Sequence, residues 1–125
     1  MVAPLEAVEK PTLRLTHFWL YVKDTENAIR FYRDTLGFEI FETFPDGALF
    51  KAGGIQLGIH REEADRKSHP GGTSIIFHTA DIKKAYETLQ RKGVRFLTQI
   101  EREPFGQIAS FRDPDGYLLE LWQPS

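Results

Sequence analysis

Two stretches of the chain carry the same punctuation at the same spacing. His17 precedes Asp24 by seven positions, and Ser74 precedes Asp81 by seven. Ala28 follows Asp24 by four, and Ala85 follows Asp81 by four. Each pattern opens on alternating residues, THFWLYVKD at 16–24 and SIIFHT at 74–79, and a period of two is that of a strand. Each then meets an aspartate that can cap a helix, with Thr25 as the alternative in the first case. Ala28, Ile29, Tyr32 and Leu36 follow at helical spacing, as do Ile82, Ala85, Tyr86 and Leu89. Gly37 and Gly93 stand where a helix ends on a left-handed residue. Three strands are then expected in each half: 38–44, 48–52 and 55–60, then 94–99, 107–111 and 117–123. The order is β-α-β-β-β, twice.

The matches continue into the later strands. Ala48 and Phe50 answer Ala109 and Phe111, and GIQLGIH at 54–60 answers YLLELWQ at 117–123. A half of roughly 50 residues is small for independent stability, so the two should bury a shared surface. The expected organisation is an irregular arm at 1–11 and one domain at 12–125. Within it, module one spans 12–60, a charged linker 61–72, and module two 73–123.

Strand parity sorts the side chains into two faces. Phe18/Leu20/Val22, Ile55/Leu57/Ile59, Ile75/Phe77 and Leu119/Leu121 are apolar, as a face covered by helices requires. The opposite faces carry His17/Trp19/Tyr21, Gln56/Gly58/His60, Ser74/Ile76/His78 and Leu118/Glu120/Trp122. Solvent alone would favour Lys, Glu and Thr there, whereas a concave pocket wants aromatic walls and a few polar groups. The repeat equates His17 with Ser74 and Gln56 with Glu120. These four would meet near a pseudo-twofold axis.

Composition narrows the functions. A net charge of −2 and a pI near 6.1 point to neither nucleic acid nor a membrane surface. With no cysteine, disulfides and thiolate chemistry are excluded, and a reducing cytoplasm is the expected setting. No run approaches the ~20 apolar residues of a membrane span. No glycine-rich phosphate loop or Ser-His-Asp arrangement is apparent.

FRDPDGYLLEL at 111–121 and HFWLYVKDTENAIRFYRDTLGFE at 17–39 together resemble the vicinal oxygen chelate superfamily. That group holds glyoxalases, bleomycin-resistance proteins, fosfomycin-resistance enzymes and extradiol dioxygenases. The resemblance implies an α+β fold in which two βαβββ modules form a cup-shaped, mostly antiparallel partial barrel with helices outside. It implies a small-molecule ligand in the cup, and a homodimer in which ligands can come from two chains. His17 and Glu120 match family metal ligands, and Gln56 stands where many members have Glu. Ser74 replaces the usual His, which weakens the two-His-one-carboxylate reading.

Two functions follow. One is a lyase with a divalent metal (Zn, Ni, Mn or Fe) on His17, Glu120 and Gln56, Glu120 moving the proton. The other is a metal-free binder of bleomycin-resistance type, with Trp19, Tyr21, Ser74, His78 and Trp122 contacting the ligand. The plainer alternatives are a hydrogen-bonded His17, a structural Gln56, core aromatics, and a salt bridge between Glu120 and Arg112. Asp113-Pro114-Asp115-Gly116 reads as a turn rather than an acidic metal loop. The run 61–67 is a solvated segment or a mobile lid.

Overall fold

The structure is a computed structural model that describes residue 12 and residues 14–125. The expected arm at 1–11 lies outside the described residues. Element order is β1 (His17–Val22), α1 (Thr25–Arg30), β2 (Ile40–Phe44), β3 (Gly47–Lys51), β4 (Gln56–Arg61), β5 (Ser74–His78), α2 (Ile82–Arg91), β6 (Glu101–Glu103), β7 (Gly106–Arg112) and β8 (Leu118–Pro124). The strands form two open four-stranded sheets, ordered β1-β4-β3-β2 and β5-β8-β7-β6. In each, one outer pair is parallel and the other two pairs are antiparallel. The fold is α+β, and the two mixed sheets are the halves of a cup-shaped partial barrel.

The two helices start by the same device. Asp24 and Asp81 each accept a backbone N–H three residues on, from Asn27 at 3.0 Å and Lys84 at 3.1 Å. That satisfies one otherwise orphaned donor in each first turn. Gly37 and Gly93 then turn the chain with φ of 83° and 95°, values open to glycine. The first helix departs from α geometry at its end, where Phe31–Thr35 winds as a π-helical turn.

The expected apolar faces form the core. Leu20, Val22, Leu57 and Ile59 are buried in the first sheet, and Ala109, Phe111, Leu119 and Leu121 in the second. Each of these side chains larger than alanine gains about 1.5–3 kcal/mol on full burial. Two strands differ from expectation. Residues 94–99 make one isolated bridge, Phe96 to Phe111, instead of a ladder. Phe96 instead stacks on Tyr86 of α2, with ring centroids 4.1 Å apart. Its apolar character therefore serves helix-on-sheet packing. The edge strand falls at the polar Glu101–Glu103, which pairs with β7 through its backbone. The expected strand at 38–44 begins at Ile40, and a bulge between Ile40 and Glu42 interrupts its pairing. Within the linker, Glu63 and Arg66 form a bridge and Pro70–Gly72 a short 3₁₀ turn.

The modules touch through a few specific contacts. Phe38 packs against Phe77 at 5.3 Å between ring centroids. Lys92, just after α2, donates to the carbonyls of Asp34 and Thr35 at 3.0 and 3.3 Å. A cation there complements the negative end of the first helix.

Candidate functional site

On the first sheet, register lays the non-core residues in rows. His17 pairs with Gln56 and then Lys51; Trp19 with Gly58 and then Leu49; Tyr21 with His60 and then Gly47, which pairs with Phe44. The result is a cluster of rings. Trp19 meets His17 and His60 edge-on at 5.4 Å each, and Phe44 at 5.6 Å. Tyr21 lies 5.4 Å from His60. Gly58 makes this possible, because a Cβ there would collide with the six-membered ring of Trp19 and the Phe18 carbonyl. The space that the glycine leaves is thus taken by Trp19.

His60, absent from the expected site, is at the centre of this cluster. Its Nδ1 lies 2.7 Å from the Arg61 carbonyl, which can only accept, so Nδ1 carries the hydrogen. Its Nε2 is left facing Glu63 at 3.7 Å. Parity on β4 was the signal available for it. The Tyr21 hydroxyl accepts from Arg66 at 3.0 Å, which ties the linker to the same face. His17 is exposed, with Nδ1 2.9 Å from the Thr16 hydroxyl.

The second sheet is built alike but occupied differently. Ser74 pairs with Leu118, Ile76 with Glu120, and His78 with Trp122. The repeat therefore sets Leu118 opposite the place of Gln56, and Glu120 opposite the place of Gly58. Both are two residues from the expected equivalence; the antiparallel pairs Ala48–Ile59 and Ala109–Leu121 give the same correspondence, so the sheets share one register and the expected match of the last strands is what shifts by two. Glu120 accepts from the Ser110 hydroxyl at 3.3 Å. Arg112 donates to the Gly116 carbonyl instead of bridging to Glu120. Glu120, Ile76, His78, Phe105, Ile108 and Trp122 line a hollow of about 430 Å³. Trp122 donates its indole N–H to the Phe105 carbonyl at 3.2 Å, with His78 edge-on at 6.2 Å. Ile76 is 57% exposed and Phe105 56%, a large apolar exposure for a pocket floor.

His17 and Gln56 are thus neighbours on one sheet, and Glu120 lines a hollow of the other whose walls are all second-module residues. Among the described residues, no group of three or more His, Cys, Asp or Glu side chains is placed to hold a metal ion. A transition-metal site generally takes three or four protein donors. Of the expected donors, one imidazole and one amide oxygen lie on one sheet and one carboxylate on the other.

The turn between β7 and β8 has its own buried chemistry. Asp113 is 5% exposed, and its Oδ2 accepts from the Tyr32 hydroxyl across the module boundary at 2.8 Å. Its Oδ1 accepts the backbone N–H groups of Asp115 and Tyr117 at 2.9 and 2.8 Å. Burial pushes the Asp113 carboxyl upward, and these donors oppose the shift. Burial and then the nearby Asp113 charge push Asp115 up to about 6. Burial foremost also raises the Tyr32 phenol far above its ordinary range. Tyr117 completes the junction, donating to the Tyr21 carbonyl at 2.9 Å and accepting from the His69 N–H at 3.1 Å. This motif is a structural turn, as its Pro and Gly indicated.

Comparison with known proteins fits this architecture. The yeast Saccharomyces cerevisiae glyoxalase I is 26% identical, over 93% of this chain but only 46% of its own length. FosA of Serratia marcescens, a glutathione transferase, is 29% identical over 86% of this chain and 78% of its own. Among solved structures, TnmS3, an antibiotic binding protein from Streptomyces sp. CB03234, superposes with a TM-score of 0.78. It is 26% identical, covering 94% of this chain and all of TnmS3. The glyoxalase/bleomycin resistance protein/dioxygenase superfamily model matches residues 14–121, nearly the whole described chain, and the protein belongs to that superfamily.

Proposed function

We propose that the protein binds a planar aromatic small molecule in a cup completed by two copies of the chain, without a metal. The observation that carries this reading is the ring-lined face of Trp19, Tyr21, Phe44 and His60. Such rings present wide, rigid contact area, and offset or edge-on packing adds about 0.5–1.5 kcal/mol per pair beyond area burial. The likeness to an antibiotic binding protein supports the same ligand class. Dimerisation is supported by the open apolar face of the second module, where Ile76 and Phe105 stand uncovered. In the proposed dimer this face meets the ring-lined face of the other copy. His17, Ser74, His78 and Glu120 then supply polar anchors around the ligand, and Trp122 adds a wall.

The test is tryptophan fluorescence titrated with planar aromatic antibiotics in EDTA, alongside sedimentation of the free protein. A saturable change that Trp19→Ala abolishes, from a sedimenting dimer, supports the proposal. A flat response across the panel, or a monomer, overturns it.

One observation favours a second reading. His17 and Gln56 are direct partners in register, as two ligands on adjacent strands would be. With Glu120 from the other copy they would make three donors for Zn, Ni, Mn or Fe. Such an ion would supply Lewis-acid polarisation of vicinal oxygens in the substrate. In this lyase reading the Glu120 carboxylate takes and returns the proton beside the ligand, and the aromatic walls exclude water. Metal analysis after purification without a chelating tag separates the two. Stoichiometric metal lost in His17→Ala supports the enzyme, and metal-free protein that still binds aromatic ligands supports the binder.

A further inference from the structure

A second cavity lies away from the ring-lined face, in the cleft between the end of the first helix and α2. Its volume is about 530 Å³, within the range of small-molecule sites. Leu36 and Phe38 form one wall, α2 the other, and Phe77 the accessible floor, above the buried Phe111 and Leu121. His78 is the one residue it shares with the hollow at Glu120. An apolar floor of this kind gains about 25 cal/mol per Å² when an apolar body covers it.

The charge at its mouth decides what body that is. Lys84 and Lys92 line the cleft, and among the described residues neither enters a salt bridge. Lys92 spends two of its three N–H donors on the Asp34 and Thr35 carbonyls, which fixes the ammonium and leaves one donor free. Asp81 is the carboxylate among the lining residues, and it is engaged by the backbone N–H of Lys84 at 3.1 Å. Thr35 and Thr88 add hydroxyls at the walls. The combination is an apolar trough whose lining sets two lysines against one carboxylate.

We infer that this cleft is a ligand site separate from the cup, for a small amphipathic carboxylate whose head lies in the field of Lys84 and Lys92 and whose body lies on Phe38 and Phe77. It is independent of what the cup binds.

Isothermal titration of the full-length protein with decanoate, decanol and decylamine, all kept below micelle formation, tests it. Expected are one decanoate site per chain and binding of decylamine weaker by about tenfold or more, equivalent to about 1.4 kcal/mol. Lys84→Glu should weaken decanoate by a similar factor, and Thr88→Phe, which plugs the wall, should remove it. Both variants are checked by circular dichroism. Ile76→Glu, a change in the cup alone, should shift decanoate affinity by less than about twofold. The inference is overturned if decanoate does not bind, if decylamine binds equally well, or if Ile76→Glu weakens it as much as Lys84→Glu does.

Discussion

The two modules share a backbone plan and use it for opposite ends. Counted from their helix-capping aspartates, Trp19 and Ile76 are equivalent, and so by register are Gly58 and Glu120. In the first module the glycine admits the ring of Trp19, and the face closes over itself with aromatic contacts. In the second, the same place carries a carboxylate held by one 3.3 Å hydrogen bond, beside an exposed Ile76. One half has a finished surface and the other an unfinished one. A repeat therefore fixes where side chains project without fixing what they do. The asymmetry supports a ligand held between unlike walls.

The largest expected effect comes from uncoupling the halves. Asp113→Ala orphans the Tyr32 hydroxyl and the N–H groups of Asp115 and Tyr117, all at the module boundary. Each buried unpaired group costs about 1–3 kcal/mol, partly relieved by losing a desolvated carboxylate, so a net loss of about 3 kcal/mol is expected in urea unfolding. A loss under about 1 kcal/mol would mean that the modules hold together without this junction. The next effect separates the equivalent positions. Gly58→Ala forces Trp19 and the backbone at Phe18 to move, at about 1–3 kcal/mol, with a changed near-ultraviolet circular dichroism signal. Glu120→Ala should cost less than about 0.5 kcal/mol, as a half-buried group with one long hydrogen bond. Equal costs at 58 and 120 would break the comparison.

Much of this was legible before any coordinates. The helix caps, the left-handed glycines and the parity of the core strands are local signals, and Asp24, Asp81, Gly37 and Gly93 act as read. The register of the parallel pairs was not legible. β1 and β4 are joined through α1, β2 and β3, so no short turn fixes their offset, and matching the last strands of the two modules two residues out keeps every side chain on its face. That is why Glu120 falls beside Ile76 and not at the counterpart of Gln56. His60 shares the strand face of Gln56, but its ring neighbours come from β1 and β2, which parity along β4 alone does not reveal. The polar Glu101–Glu103 strand carries no side-chain pattern, since it pairs by backbone alone.

The smallest effect concerns the two turns that precede the last strand of each module. In module one the turn is Ala52-Gly53-Gly54-Ile55, closed by an Ala52 N–H to Ile55 carbonyl bond of 3.0 Å and free of charge. In module two it holds Asp113 and Asp115, with Asp24 and Glu62 adding to the negative field at Asp115. Asp115 titrates near 6 in the folded chain, against about 3.9 when unfolded. A raised carboxyl means that the folded state binds more protons between those values. Its contribution is full below the unfolded value and is lost as pH rises through about 6. Asp115→Asn keeps the shape without the charge. It should raise the melting temperature at pH 7.5, by an amount worth under about 1 kcal/mol because the group is partly solvated. That gain should fade as pH drops through 6 towards 4. Asp34, held low chiefly by its hydrogen bond with Arg33, contributes the opposite slope but is common to both proteins, so the difference between their curves reports the coupled Asp113–Asp115 turn. A difference independent of pH would remove the charged turn as the point where the two modules part in their response to acid.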